Sequence, residues 1–78
     1  MNSFGKLLSF LNRLDDAKIS YSLKHNRDDT IVILIDVPGQ RWEVDFFEDG
    51  SIEVEKFIST FVTGNGELIE ELFREFSD

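Results

Sequence analysis

The chain has no cysteine. A disulfide scaffold, a thiolate metal site and a cysteine nucleophile are therefore excluded. A single histidine, His25, removes a His-based zinc site and any two-histidine mechanism. No apolar run approaches the roughly 18 residues that a membrane-spanning helix needs. The first apolar stretch is broken by Asn12, Arg13, Asp15 and Asp16, so it does not read as a secretory signal. No internal repeat, linker or low-complexity segment is visible. The expectation is a soluble cytoplasmic protein, one domain over residues 1–78.

Cations are also scarce. Eight Lys and Arg stand against sixteen Asp and Glu, a net charge of −8. The imbalance is uneven along the chain. Residues 1–27 hold five cations and two acids, a net of +3; residues 28–78 hold three cations and fourteen acids, a net of −11. Such a field repels nucleic-acid phosphates and anionic membranes and steers a cationic partner inward. The alternative is that the acids only keep an aromatic-rich protein soluble.

What is present is globular. Hydrophobic residues make 41% of the chain and charged residues 31%, a balance that supports a core rather than disorder. Phe4, Leu7, Leu8, Leu11 and Leu14 recur at helical spacing and predict a helix over 3–16, with Ser3 as N-cap and one apolar stripe. Residues 18–25 alternate and predict a half-buried strand. Asn26–Asp29 reads as a polar turn, and 30–37 as a β-branched central strand. Pro38-Gly39 breaks the chain before an alternating strand at 40–47. Glu48-Asp49-Gly50 fits a three-residue hairpin loop closed by a left-handed Gly50, leading to a last strand at 51–58. Residues 59–66 read as irregular, with Gly64-Asn65-Gly66 as a breaker, and 67–76 as a second amphipathic helix. The expected fold is α+β: a four-stranded antiparallel meander with both helices on one face, in the order αββββα.

The loop lengths fix registers. A two-residue loop at Pro38-Gly39 pairs Ile35 with Trp42, Ile33 with Val44 and Ile31 with Phe46, and sets Asp36 against Arg41. The loop at 48–50 pairs Phe46 with Ile52 and Val44 with Val54. Both registers gather apolar residues on one face, Trp42 among them as core. They also leave Asp45 opposite Glu53 and Glu43 opposite Glu55 on the other face. Like charges directly opposite each other on a sheet are destabilising. Val32, Leu34, Phe47 and Phe57 stand beside them, provided no bulge near Lys56 turns Phe57 inward. These eight residues are the candidate partner-binding surface. The competing reading is a solvated face whose apolar residues serve strand propensity.

Catalytic and cofactor motifs fail on their chemistry. A calcium loop begun at Asp45 would need oxygen ligands where Phe47 and Lys56 stand. Flat carboxylates offer at most loose divalent binding, and an open face lacks the desolvated cleft of a glycosidase. Gly64-Asn65-Gly66 is followed by Glu67, Glu70 and Glu71, which repel phosphate. His25 reads as a surface or rim residue. No catalytic residue, metal ligand or cofactor is expected.

The run from Arg41 to Glu55 resembles a group of small, uncharacterised bacterial proteins. They share a W-E-V-x-F-x-x-D-G-S-x-E-V-E core, preceded by Val-Pro-Gly and followed by an acidic helix. The resemblance implies the sheet and hairpin and supplies no catalytic residue. Some small acidic proteins of this build act as immunity proteins against secreted bacterial toxins. The functional expectation is a non-catalytic module that binds a basic protein. The alternative is a homodimer associating through the open face or through an edge strand at 18–25 or 51–58.

Overall fold

The computed structural model describes residues 3–58 and 61–76. Helix α1 spans Ser3–Asp16. Strands β1 (Tyr21–Arg27), β2 (Thr30–Val37), β3 (Gln40–Phe47), β4 (Ile52–Phe57) and β5 (Phe61–Asn65) follow, and helix α2 spans Leu68–Phe76. The sheet is a five-stranded antiparallel meander in the order β1-β2-β3-β4-β5.

The fifth strand corrects the expected count of four. Phe61-Val62-Thr63 carries aromatic and β-branched residues suited to a strand, and Gly64 extends it instead of breaking it. A Cβ on Gly64 would stand 3.3 Å from the Leu68 side chain, so this glycine lets the start of α2 approach the sheet closely. Residues 59 and 60, part of the segment read as irregular, lie outside the described residues. β4 is therefore interior, and the stretch 51–58 offers no free edge. The sheet ends on β1 and β5.

The hairpin registers stand as expected. Ile35 pairs with Trp42, Ile33 with Val44 and Ile31 with Phe46. Phe46 then pairs with Ile52, and Val44 with Val54. Gly39 and Gly50 take φ values of 78° and 92°, the left-handed conformations their turns require. No bulge interrupts β3 and β4, so alternation carries Lys56 inward and leaves Phe57 on the open face.

The strand expected at 18–25 begins later, at Tyr21. Residues 17–19 instead close α1. Lys18 takes φ 61°, its amide donates to the Asp15 carbonyl at 3.1 Å, and the Ile19 amide donates to the Leu14 carbonyl at 2.9 Å. This is the Schellman pattern with lysine in the left-handed place, and buried Leu14 and Ile19 supply its apolar pair. Ser3 is the first described residue of the helix, and its hydroxyl donates to the Glu48 carbonyl at 2.7 Å. It ties α1 to the β3–β4 loop, as does Lys6, whose ammonium donates to the Gly50 carbonyl at 2.9 Å.

Both helices cover the same sheet face. The core joins Phe10 and Leu14 of α1, and Ile69, Leu72 and Phe73 of α2, to Ile33, Ile35, Trp42, Val44, Phe46 and Val54 of the sheet. The α1 stripe is rotated from the expected one. Phe10 reaches the sheet and packs its ring on Phe46 and Phe73, with centroids 5.4 and 5.9 Å apart. Phe4 and Leu8 consequently remain 66% and 42% exposed. Arg13 clasps the two helices. It donates to both Glu70 carboxylate oxygens, at 2.8 and 3.1 Å, and lies 4.0 Å from the centroid of the Phe73 ring.

One charge enters the inner face. Lys56 is 7% exposed, stands opposite Trp42 in the register and pairs with Glu71 of α2 at 2.8 Å. Its ammonium lies 5.3 Å from the Trp42 ring, and the indole N–H donates to the Gln40 side-chain carbonyl at 2.9 Å. Among the described residues no buried side-chain polar atom lacks a partner. No described helix is long and apolar enough to cross a membrane.

Candidate functional site

The open sheet face is built by the residues between the core rungs. The two hairpin registers bring Val32 opposite Asp45, Leu34 opposite Glu43, Asp45 opposite Glu53, and Glu43 opposite Glu55. Three neighbouring strands thus set four carboxylates, on β3 and β4, beside two aliphatic side chains on β2. All eight expected surface residues lie on this face. Glu53 is exposed, and the other seven are half-buried.

The carboxylates perturb one another. Partial burial, reinforced by Glu53 and Glu43, holds the Asp45 carboxyl above the usual aspartate range, and Arg27 pulls it the other way. Partial burial also raises Glu55, with Glu43, Asp45 and Glu53 adding to the effect. Both shifts express one fact: negative charge on this face is unfavourable in the free protein.

Two arginines frame the patch. The Arg27 guanidinium lies 5.5 Å from the Phe47 centroid, and that of Arg41 lies 4.9 Å from the Phe57 centroid. These distances permit cation–π attraction. The two aromatic residues of the face are thus each covered by a cation of the chain itself. Sequence reasoning did not foresee these caps. The β2–β3 register sets Arg41 against Asp36, and the β3–β4 register sets it directly opposite Phe57. Arg27 lay in a segment read as turn, whereas it closes β1, beyond a register shift between Lys24 and Arg27. Thr63 and Asn65 of β5 extend the face beyond Glu55 and Glu53, their register partners.

A cleft of about 340 Å³ lies at the β4–β5 side of this face, lined by Glu53, Val54, Glu55, Thr63 and Gly64. Among the described residues no three His, Asp or Glu side chains converge as a metal site requires. One cleft of about 210 Å³ lies elsewhere, between the start of α1 and the tips of both hairpins, lined by Phe4, Leu7, His25, Ile31 and Phe46 among others. His25 is exposed at its rim. The four-carboxylate face can offer a broad anionic, partly apolar contact. No protein-family model, curated protein or solved structure matches the chain.

Proposed function

We propose that the chain is a non-catalytic protein-binding module whose open face receives a basic protein surface. The observation that carries this reading is the pair of like-charge rungs, Asp45 with Glu53 and Glu43 with Glu55. They weaken the free sheet and gain favourable partners when Lys or Arg side chains cover them. Val32 and Leu34, between the carboxylates and the edge strand β1, supply apolar area to the same contact, and Phe47 and Phe57 extend it. The net charge of −8 adds long-range attraction. A cytoplasmic inhibitor that neutralises a basic bacterial toxin is the instance that size, acidity and the W-E-V-x-F-x-x-D-G-S-x-E-V-E resemblance favour.

The test is capture from a lysate of the source organism with wild-type bait and with a Glu43→Lys, Glu53→Lys bait. A basic protein retained by wild type alone, with affinity that falls steeply as salt rises, is the expected result. Equal retention by both baits removes the open face from the binding reading. A second reading, a homodimer, is favoured by a different observation, the bare edge of β1.

A further inference from the structure

We infer that β1 is the seam of a symmetric dimer, in which a second copy of the chain pairs its own β1 across a two-fold axis at Leu23. This surface lies away from the acidic face and does not depend on the binding of a basic partner.

Backbone polarity comes first. The two-residue loop at Pro38-Gly39 makes Val37 and Gln40 a hydrogen-bonded pair, so Ile35, Ile33 and Ile31 also bond toward β3. Leu34 and Val32 then bond toward β1, where their partners are Ser22 and Lys24. The backbone groups of Tyr21 and Leu23 then point the other way, to the edge that no described strand covers; His25 lies where the register shifts. Antiparallel pairing about Leu23 sets Leu23 against Leu23 and Tyr21 against His25. The outward-facing groups of the two Leu23 residues then bond each other. Lys24 falls opposite Ser22, so no like-charge rung forms.

The side chains agree. Leu23 projects to the helix side, as its partner Ile33 does, yet remains 48% exposed. Phe4 shares the cleft with His25, and Asp15 engages the Tyr21 hydroxyl. Helix α1 therefore meets the β1 side of the sheet at both of its ends. Phe4, Leu8 and Leu23 are three of the five exposed large hydrophobic residues among those described. The two-fold axis at Leu23 brings the two exposed Leu23 side chains together at the seam.

Charge leaves this flank as the approach of least repulsion between two copies. Residues 28–78 carry −11, so two copies repel each other on most approaches. The α1–β1 flank belongs to the first 27 residues, which carry +3. An isologous contact there keeps the two acidic faces side by side rather than face to face. The contact is small. Seven residues of strand reach about 23 Å, and with one helix above them they cover less than the roughly 800 Å² per partner of a standard interface. The dimer is accordingly weak, with half-association between about 10 µM and 1 mM.

Sedimentation equilibrium on the full chain tests the seam. Mass should rise from the 9.0 kDa monomer toward twice that value across this concentration range. Raising salt should tighten association by screening the −8 on each copy, opposite in sign to the capture of a basic partner. Leu23→Glu should weaken the dimer about tenfold or more. Leu23→Pro deletes an amide that points away from β2, so it should abolish the dimer while thermal unfolding still shows a folded monomer. A monomer at all concentrations, or a dimer indifferent to both Leu23 variants, overturns the proposal. Association that salt dissolves also overturns it, because it would place the basic flank of one copy on the acidic face of another.

Discussion

The two faces of this sheet are made by alternate residues of the same strands, yet they obey opposite rules. On the inner face Val44 meets Val54, and Trp42 meets a lysine whose charge Glu71 balances. One residue along, on the outer face, Asp45 meets Glu53 and Glu43 meets Glu55 with no cation between them. Every inner rung contributes to folding. The outer rungs oppose it by up to about 1 kcal/mol each. The fold would be better served by threonine or lysine at these outer positions.

The sharpest way to break the comparison is to attack the inner face. Trp42→Ala should cost about 3–5 kcal/mol, read as a fall in the urea midpoint. A cost near zero would mean that the inner face is not the foundation of the fold.

Next comes the charge inside that face. Glu71→Ala strands the buried Lys56 ammonium and should cost about 2–3 kcal/mol, somewhat below the usual cost of breaking a fully buried pair because Glu71 keeps solvent contact. Lys56→Met removes the charge itself and should cost much less, since methionine keeps contact with Trp42. Equal costs for the two changes would show that the pair is valued for its attraction rather than for sparing an isolated charge.

The smallest effect is on the outer face and has the opposite sign. Asp45→Asn should raise stability at neutral pH by about 0.5–1 kcal/mol. A pH series sharpens the point. Asp45 and Glu55 hold protons more tightly folded than unfolded. Stability should therefore rise as pH falls from neutrality through their raised values toward the ordinary 3.8 and 4.5. Asp49, held low by the Ser51 hydroxyl and amide, and Glu70, held low by Arg13, act in reverse. Their contribution is complete above the ordinary values and is lost as pH falls through the lowered ones. Urea midpoints should thus peak in mildly acidic solution. An Asp45→Asn, Glu55→Gln variant should lose the rise and keep the acid-side fall.

The sheet registers and the membership of both faces were legible in the sequence because turn chemistry fixes them. Pro38-Gly39 and Gly50 set two hairpins, and alternation then assigns every residue from Ile31 to Phe57 to a side. β5 was hidden because Gly64-Asn65 reads as a break. Only the approach of Leu68 shows that a glycine belongs inside that strand. The α1 stripe was read in part: Leu7, Leu11 and Leu14 pack on the core as expected, while contact with Phe46 and Phe73 selects Phe10 over Phe4 and Leu8. The Arg41 cap on Phe57 was implicit in the β3–β4 register, which sets the two opposite each other, whereas the Arg27 cap on Phe47 was hidden behind the register shift between Lys24 and Arg27.

The Arg13–Glu70 clasp has a kinetic consequence. Each strand of the meander neighbours the one before it, so the sheet can grow by short hairpin closures. The clasp joins residues 57 apart, and a loop of that length is slow to close compared with a hairpin. Its formation is expected late in folding, after the strands have brought the two chain ends within reach. The same joint should be among the first to open under a pulling force applied at the termini, which would peel the helices off before the sheet unzips.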